Sequence, residues 1–482
     1  MRGTTDICII GGGPAGSVLA ARLAQLGHDV CLVERAAFPR RHLGESLSPG
    51  VLPLLATVGV HRAIASAGFT PVRSVMVNWD QGLQQRDDPT AQGLLVDRGH
   101  FDRLLLDHAR AAGVRVFQPA TVAEKVLRDD GWNLRIKSNG RAFEMRAAFL
   151  ADATGRAALL RSRRRETGCR TVALHAYWQG CNLPTQPRIE AGEAEWYWGV
   201  PLPDGFYNTL VFVDAARFRA ERMSLFKAGF HKLIHRSGLL DGCTNPRLLV
   251  RVYAADATPY LDEECVTPRS IKVGDAAIAL DPLSSSGVQK AIQTSLSGAV
   301  VINTLLRKPE SGEAALRFYR DRLREASERH RQWAAGHYAT VAAQRAEKFW
   351  SDRAVSPSSS TSPLPFREPA DQRVPDDVPL MLSRKVAFVD LPCLEDEFVR
   401  VKAAVQHLAL ENPIAYLSNL ELAPLLQQVR AGMTAHEIAL NWAPAIPLGA
   451  ARDITRWLVA HGILVPQSAA ESDNPASRRS AA

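Results

Sequence analysis

The sequence predicts an α/β chain in which a parallel-sheet domain is interleaved with a mixed-sheet domain, followed by a small C-terminal, mostly helical domain of winged-helix type. Three observations carry that expectation. Residues 6–35 read strand, glycine turn, helix, strand; a second strand, turn and helix returns after Ile271; and a Ser/Pro-rich segment precedes a last run of amphipathic helices. At 482 residues the chain exceeds one comfortable core. The expected divisions are 1–160 with 265–350 for the first domain, 161–264 for the second with parts of 60–100 contributing, a linker or strap at 351–380, a small domain at 381–468 and a disordered tail at 469–482.

The first element is "DICIIGGGPAGSVLAARLAQLGHDVCLVER". Ile7 to Ile10 is an apolar run suited to a buried parallel strand, Val18 to Leu26 carries a helical pattern, and His28 to Val33 forms a second strand ending at Glu34. Between them, Gly11, Gly13 and Gly16 keep the GxGxxG spacing of a Rossmann-like turn. Glycine permits a tight turn and close approach of a pyrophosphate, whose charge faces unpaired N–H groups at the helix start. Glu34 stands where a carboxylate accepts hydrogen bonds from a ribose, and its charge disfavours a 2′-phosphate there, leaving FAD or NAD.

Two later segments choose FAD. In "LLVDRGHFDRLLLDHARAAGVRVF", Arg98 precedes a helix whose stripe is Phe101, Leu104, Leu105 and Ala109. In "IKVGDAAIALDPLSSSGVQKAIQTSLSGAVV", a strand ends at Gly274 and Asp275, Pro282 turns the chain and Gly287 opens a helix. A carboxylate followed by a second helix start suits a ribityl chain and the flavin end. Together, "GGGPAG", "DRGHFDRLL" and "VGDAAIALDPLSSSGVQKA" resemble the FAD-dependent monooxygenases of the hydroxybenzoate hydroxylase type, with the flavin halogenases and geranylgeranyl reductases. That resemblance spans roughly residues 5–340 and implies FAD held by Gly11, Gly13, Pro14, Ala15, Gly16, Glu34 and Arg35. It implies further cofactor contacts from Arg41, Arg98, Asp275, Pro282, Gly287 and Val288.

"PRRHLGESLSPGVLPLLATVGV" resembles the halogenase and reductase branch, which places Gly44, Glu45 and Ser46 near the flavin. "WYWGVP" resembles the Trp-x-Trp-x-Ile-Pro signature of flavin halogenases, with Val200 in place of isoleucine; Trp196 and Trp198 then share one strand face as a chamber wall. The halogenase family also carries a lysine between the Gly-Glu-Ser turn and a downstream tryptophan, here Trp79. In "GFTPVRSVMVNW" Val72 occupies its position with Arg73 beside it, and no lysine precedes Lys125. Valine has no amine, and an always-protonated arginine is a poor nucleophile. The expected activity is therefore monooxygenation of an aromatic substrate through a flavin hydroperoxide, with O₂ as co-substrate and with halogenation or lipid double-bond reduction as alternatives. Such chemistry gains from a proton acceptor, and the candidates are His42, Glu45 and Asp281. No second GxGxxG domain is present, so NAD(P)H binds transiently, or a partner reductase supplies reduced flavin.

The C-terminal region shows Thr434 and Glu437 at capping-box spacing and an Ile454, Trp457, Leu458 stripe on a last helix stopped at Gly462, followed by "ILVP" as a short wing strand. This order resembles winged-helix modules that hold peptide substrates. A halogenase-like core without its lysine, joined to such a module, resembles the flavoproteins that mature the small subunit of quinohemoprotein amine dehydrogenase during cysteine tryptophylquinone formation. The resemblance implies tryptophan of a peptide or small protein as substrate.

Lys and Arg exceed Asp and Glu by 58 to 50, with the densest run at "RSRRRE", read as a solvated loop. No nucleic-acid motif accompanies it, and Arg452 and Arg456 make only a thin basic patch on the last helix, so nucleic acid is not expected as a partner. Seven scattered cysteines without CxxC point to reduced thiols and no metal site. With no apolar leader and no membrane span in view, a cytoplasmic location is expected.

Overall fold

The computed structural model describes residues 2–40, 42–87, 93–180, 182–203, 205–224, 229–240, 243, 252–355 and 377–468. Arg41, most of the 351–380 segment and the 469–482 tail lie outside the described residues. The chain divides into two compact units, Met1–Ser356 and Pro357–Ala482.

In the first unit a parallel array runs in the order Ser270–Lys272, Arg141–Asp152, Arg2–Ile10, Val30–Val33, Arg115–Phe117. Strands Ala120–Arg128 and Gly131–Ser138 extend antiparallel from Arg141–Asp152. Helices cover a parallel sheet on its faces, so its strands read as unbroken apolar runs, and Ile7, Cys8 and Ile9 are fully buried. Helix Pro14–Gln25 packs on the long helix Gly287–Arg307, where the Ser295 hydroxyl donates to the Ala15 carbonyl at 2.8 Å.

The second sheet is mixed, in the order Tyr253–Asp256, Thr171–Trp178, Tyr207–Asp214, Glu195–Pro201, Arg188–Ala191, Ser74–Asn78, Leu83–Asp87. Only Arg188–Ala191 and Ser74–Asn78 pair in parallel. Strand alternation sends Leu174, Ala176, Trp178 and Tyr197 to one face, under helix Phe230–Arg236. Ala173, Trp196 and Phe212 point the other way, against helices Gly312–Ala342 and Lys348–Ala354. Residues 351–354, the start of the expected linker, are therefore helical with Arg353 buried, and Trp350 just before them is fully buried and edge-on to Trp79 at 5.5 Å.

"RSRRRE" is not a free loop. Arg164–Glu166 pairs with Tyr260–Asp262, and Arg163 and Arg165 form surface ion pairs with Glu263. Beside it Lys272 and Asp262 form an ion pair at 2.8 Å with both side chains enclosed.

The C-terminal unit corrects the expectation of a mostly helical domain. A long hairpin, Ala387–Glu395 with Phe398–Gln406, accompanies helices Leu422–Leu426, Ala435–Trp442 and Leu448–Ala460. Its alternation is weak in sequence because both faces carry exposed residues, Phe388, Leu394 and Val401 among them. Leu464–Pro466, inside the "ILVP" stretch, pairs antiparallel with Leu380–Leu382. The Thr434–Glu437 capping box forms, and Ile454 and Leu458 enter the core with Trp457 against it. Among the described residues no helix is long and apolar enough to cross a membrane.

Candidate active site

The glycine turn has the shape that its spacing requires. Gly11 adopts φ +106°, and a Cβ there would meet the Ala153 carbonyl at 2.4 Å; at Gly16 it would lie 1.8 Å from the Gly11 oxygen. Pro14 and Ala15 begin the helix, and Gly13 at its N-cap supplies no side-chain partner for the first N–H groups. Those donors can receive a phosphate. Glu34 ends the second strand against this turn, accepting from Gly12 N at 2.6 Å and Ala36 N at 2.7 Å, while Arg35 is exposed. Sequence reasoning missed Arg40. Its Nη2 would be 3.5 Å from a Gly13 Cβ, and its Nε is buried without a partner, so a cation overlooks the phosphate end.

A second uncapped helix start lies at Gly287, where a Cβ would meet nothing within 4 Å. Val288 is buried beside Leu47 and Val18. Asp275 follows the Ser270–Lys272 strand, 3.9 Å from Arg156; burial raises its carboxyl although 44% of the side chain stays accessible, as for a carboxylate that lines a recess. Two glycine-opened helix starts, a ribose-side carboxylate and this recess fit FAD.

The Gly44–Ser46 turn bridges the two sheets. Ser285 donates to the Ser46 carbonyl at 3.2 Å, and Ser48 donates to Gln289 at 2.6 Å, stitching the turn to the Gly287 helix. Arg98 is buried, paired with Asp102 through Nε at 3.0 Å and bonded to the Leu43 carbonyl at 2.5 Å, so its donors brace the turn from the other side. Glu45 is 5% exposed. Its Oε1 accepts from the Tyr177 hydroxyl at 2.8 Å and from Asn208 Nδ2 at 3.1 Å, both on the mixed sheet, and its Oε2 from Gly44 N at 2.9 Å. Burial raises the carboxyl against those bonds and the Arg98 charge. His42, by contrast, is exposed and bonds its neighbour's carbonyl at Leu43. Asp281 caps the Pro282–Ser284 turn through Leu283 N at 3.0 Å and accepts from Tyr338 at 3.0 Å; burial raises it too.

Trp196 is enclosed, stacked on Phe212 at 3.7 Å with its indole Nε1 unpartnered, whereas Trp198, two residues on, is half-buried. Leu43 and Leu283, from the two flavin-side turns, pack on the same cluster. The tryptophan face is thus turned toward the segments expected to hold the flavin. Val72 is half-buried on strand Thr70–Val72, opposite Gly93, and Arg73 is exposed.

Residues 4–198 match the model of an FAD binding domain family. The chain is 31% identical over 345 residues to a tryptophan 2-halogenase of Chondromyces crocatus, covering 66% of this chain and 64% of that one. It therefore spans less than two thirds of that relative's length. Among solved structures, the peptidyl tryptophan dihydroxylase QhpG, described as essential for tryptophylquinone cofactor biogenesis, aligns with TM-score 0.74 at 30% identity over 95% of this chain and 99% of that one. The flavin-dependent halogenase CmlS aligns with TM-score 0.76 over 97% and 96% at 22% identity, a likeness of fold.

Proposed function

This chain belongs to the superfamily of FAD-dependent monooxygenases and flavin halogenases, and from that premise we propose that it is a monooxygenase hydroxylating tryptophan held in a peptide or small protein, as in cysteine tryptophylquinone biogenesis. The observation that carries the reading is Val72, an apolar residue where the halogenase resemblance requires an amine, in a chain whose first lysine is Lys125. The full-length likeness to the peptidyl tryptophan dihydroxylase supports the same substrate class. Reduced FAD supplies the activation of O₂, and the electrons come from NAD(P)H or from a partner reductase.

The chain's own residues divide the work. Gly11, Gly13, Gly16 and Glu34 take the adenosine and phosphate end, with Arg40 as an added cation; Asp275 and the Gly287 helix start take the ribityl and flavin end. Glu45, fixed between the turn and the sheet by Tyr177 and Asn208, would close the substrate chamber on the side of the segments that would hold FAD. Trp196 makes the dry rear wall and Trp198 the accessible flank, excluding water from the reacting groups. Asp281 holds the flavin-side turn to Tyr338. The C-terminal unit is read as a winged-helix-like holder for the peptide.

The test is halide dependence. Reconstituted with FAD and a reductant, the enzyme should give a tryptophan-peptide product of the same mass with and without bromide. A brominated product would return the reading to the halogenase branch, which the tryptophan 2-halogenase likeness favours.

A further inference from the structure

On the mixed sheet, the register sorts the chamber-facing side chains into rungs. Trp196 faces Phe212 on the first, and Phe212 faces Ala173. The second reads Trp198, Leu210, His175, Tyr253 across four strands. The third pairs Asn208 with Tyr177, the two residues that hold Glu45. The first rung is sealed by the helices above it; on the third Asn208 is enclosed and Tyr177 is half-buried, both held by Glu45; on the middle rung Trp198, His175 and Tyr253 keep accessible surface. Strand spacing sets His175 and Trp198 about 10 Å apart across Leu210, a gap that accepts a flat ring.

His175 is oriented before anything enters. Its ring stacks on Tyr253 at 5.4 Å and 19°, and meets Tyr177 edge-on at 6.0 Å. Nδ1 is enclosed without a hydrogen-bond partner, so the accessible edge of this half-buried ring is the Nε2 side. Diagonally across, Asn208 Oδ1 is an enclosed acceptor without a partner. A neutral imidazole holds one proton, and with it on the enclosed Nδ1 the Nε2 edge is left as an open acceptor suited to a ligand that brings a donor. Desolvation lowers the imidazole to about 4, so at neutral pH it keeps an acceptor lone pair.

We propose that His175 accepts a hydrogen bond from the indole N–H of the substrate and orients its ring between His175 and Trp198. This rests on the tryptophan reading above and assigns the residue that would select an indole over other apolar rings. A site built to receive an N–H discriminates against a ring lacking it, because the protein acceptor is left unpaired.

The test measures equilibrium binding of N-acetyl-tryptophanamide and its indole-N-methyl derivative to the FAD-loaded enzyme. Methylation should weaken binding to the wild type about five- to tenfold. In His175→Leu the two probes should bind alike, and in His175→Gln, whose carbonyl reaches the Nε2 position, part of the preference should return. Flavin content and melting temperature report whether each variant folds, and the wild-type comparison needs no variant. Equal binding of the two probes to wild type, a methylation penalty unchanged in His175→Leu, or no binding of either probe overturns the assignment. If oxygenated peptide forms while wild type ignores methylation, His175 loses its role and the monooxygenase reading stands; if the preference is present and no oxygenated product forms, the reverse holds.

Discussion

Replacing Glu45 tests the joint between the two sheets. Its carboxylate is buried and accepts from Tyr177, Asn208 and Gly44. Glu45→Ala leaves three donors facing one another, each costing about 1–3 kcal/mol if unpaired; since they relax together, about 3–5 kcal/mol in all is expected. Glu45→Gln keeps an acceptor for Tyr177 and Asn208 but turns an amide N–H₂ toward Gly44 N, so about 1–2 kcal/mol is expected. Burial raises the Glu45 carboxyl in the folded state, which therefore binds the proton more tightly than the unfolded chain. Its contribution to stability is complete below the unfolded carboxylate pKa and is lost as pH rises through the raised folded value. Glu45→Gln should remove that part of the pH dependence. Urea unfolding of the flavin-loaded enzyme across the acid range, read at constant slope, gives both quantities. An alanine variant within about 0.5 kcal/mol of wild type, together with an unchanged pH profile in the glutamine variant, would refute the clamp.

Gly16→Ala should yield protein without flavin, because its Cβ would stand 1.8 Å from the Gly11 oxygen; the ratio of flavin to protein absorbance checks this. Lys272→Met should cost about 3–5 kcal/mol by leaving Asp262 buried and unpaired, measured by thermal unfolding. In the wild type, burial alone would raise the Asp262 carboxyl, but hydrogen bonds from Lys272 and Ser162 outweigh it and hold it low. Its stabilisation is present above the unfolded pKa and disappears as pH falls through the folded one, so acid should unfold wild type with a step that Lys272→Met lacks. Trp196→Ala should cost about 3–5 kcal/mol by emptying the stack on Phe212, and Trp196→Phe much less, again by urea midpoint.

The nucleotide end was legible because its determinants are local. Glycine spacing, the helix behind it and Glu34 at the strand end lie within thirty residues and need no long-range knowledge. The tryptophan alternation was legible too, since strand period alone puts Trp196 and Trp198 on one face. What sequence could not supply were the partners. Tyr177 and Asn208 reach Glu45 from 132 and 163 residues away, through a sheet register that no local pattern specifies. His175 gave one faint signal, a polar ring in the otherwise apolar strand "TVALHAYW", and only pairing with Tyr253 and Leu210 places it. The C-terminal hairpin was hidden because its exposed apolar residues blur the alternation. That Arg40 overlooks the turn was not legible because side-chain direction depends on how the segment leaves the second strand.

The most direct measurement of the central claim is the mass of a tryptophan-containing substrate peptide after turnover of the FAD-loaded enzyme under ¹⁸O₂. The account expects labelled oxygen on the indole ring of the product, independent of halide. A modified product that carries no labelled oxygen, or carries halogen in its place, would contradict it.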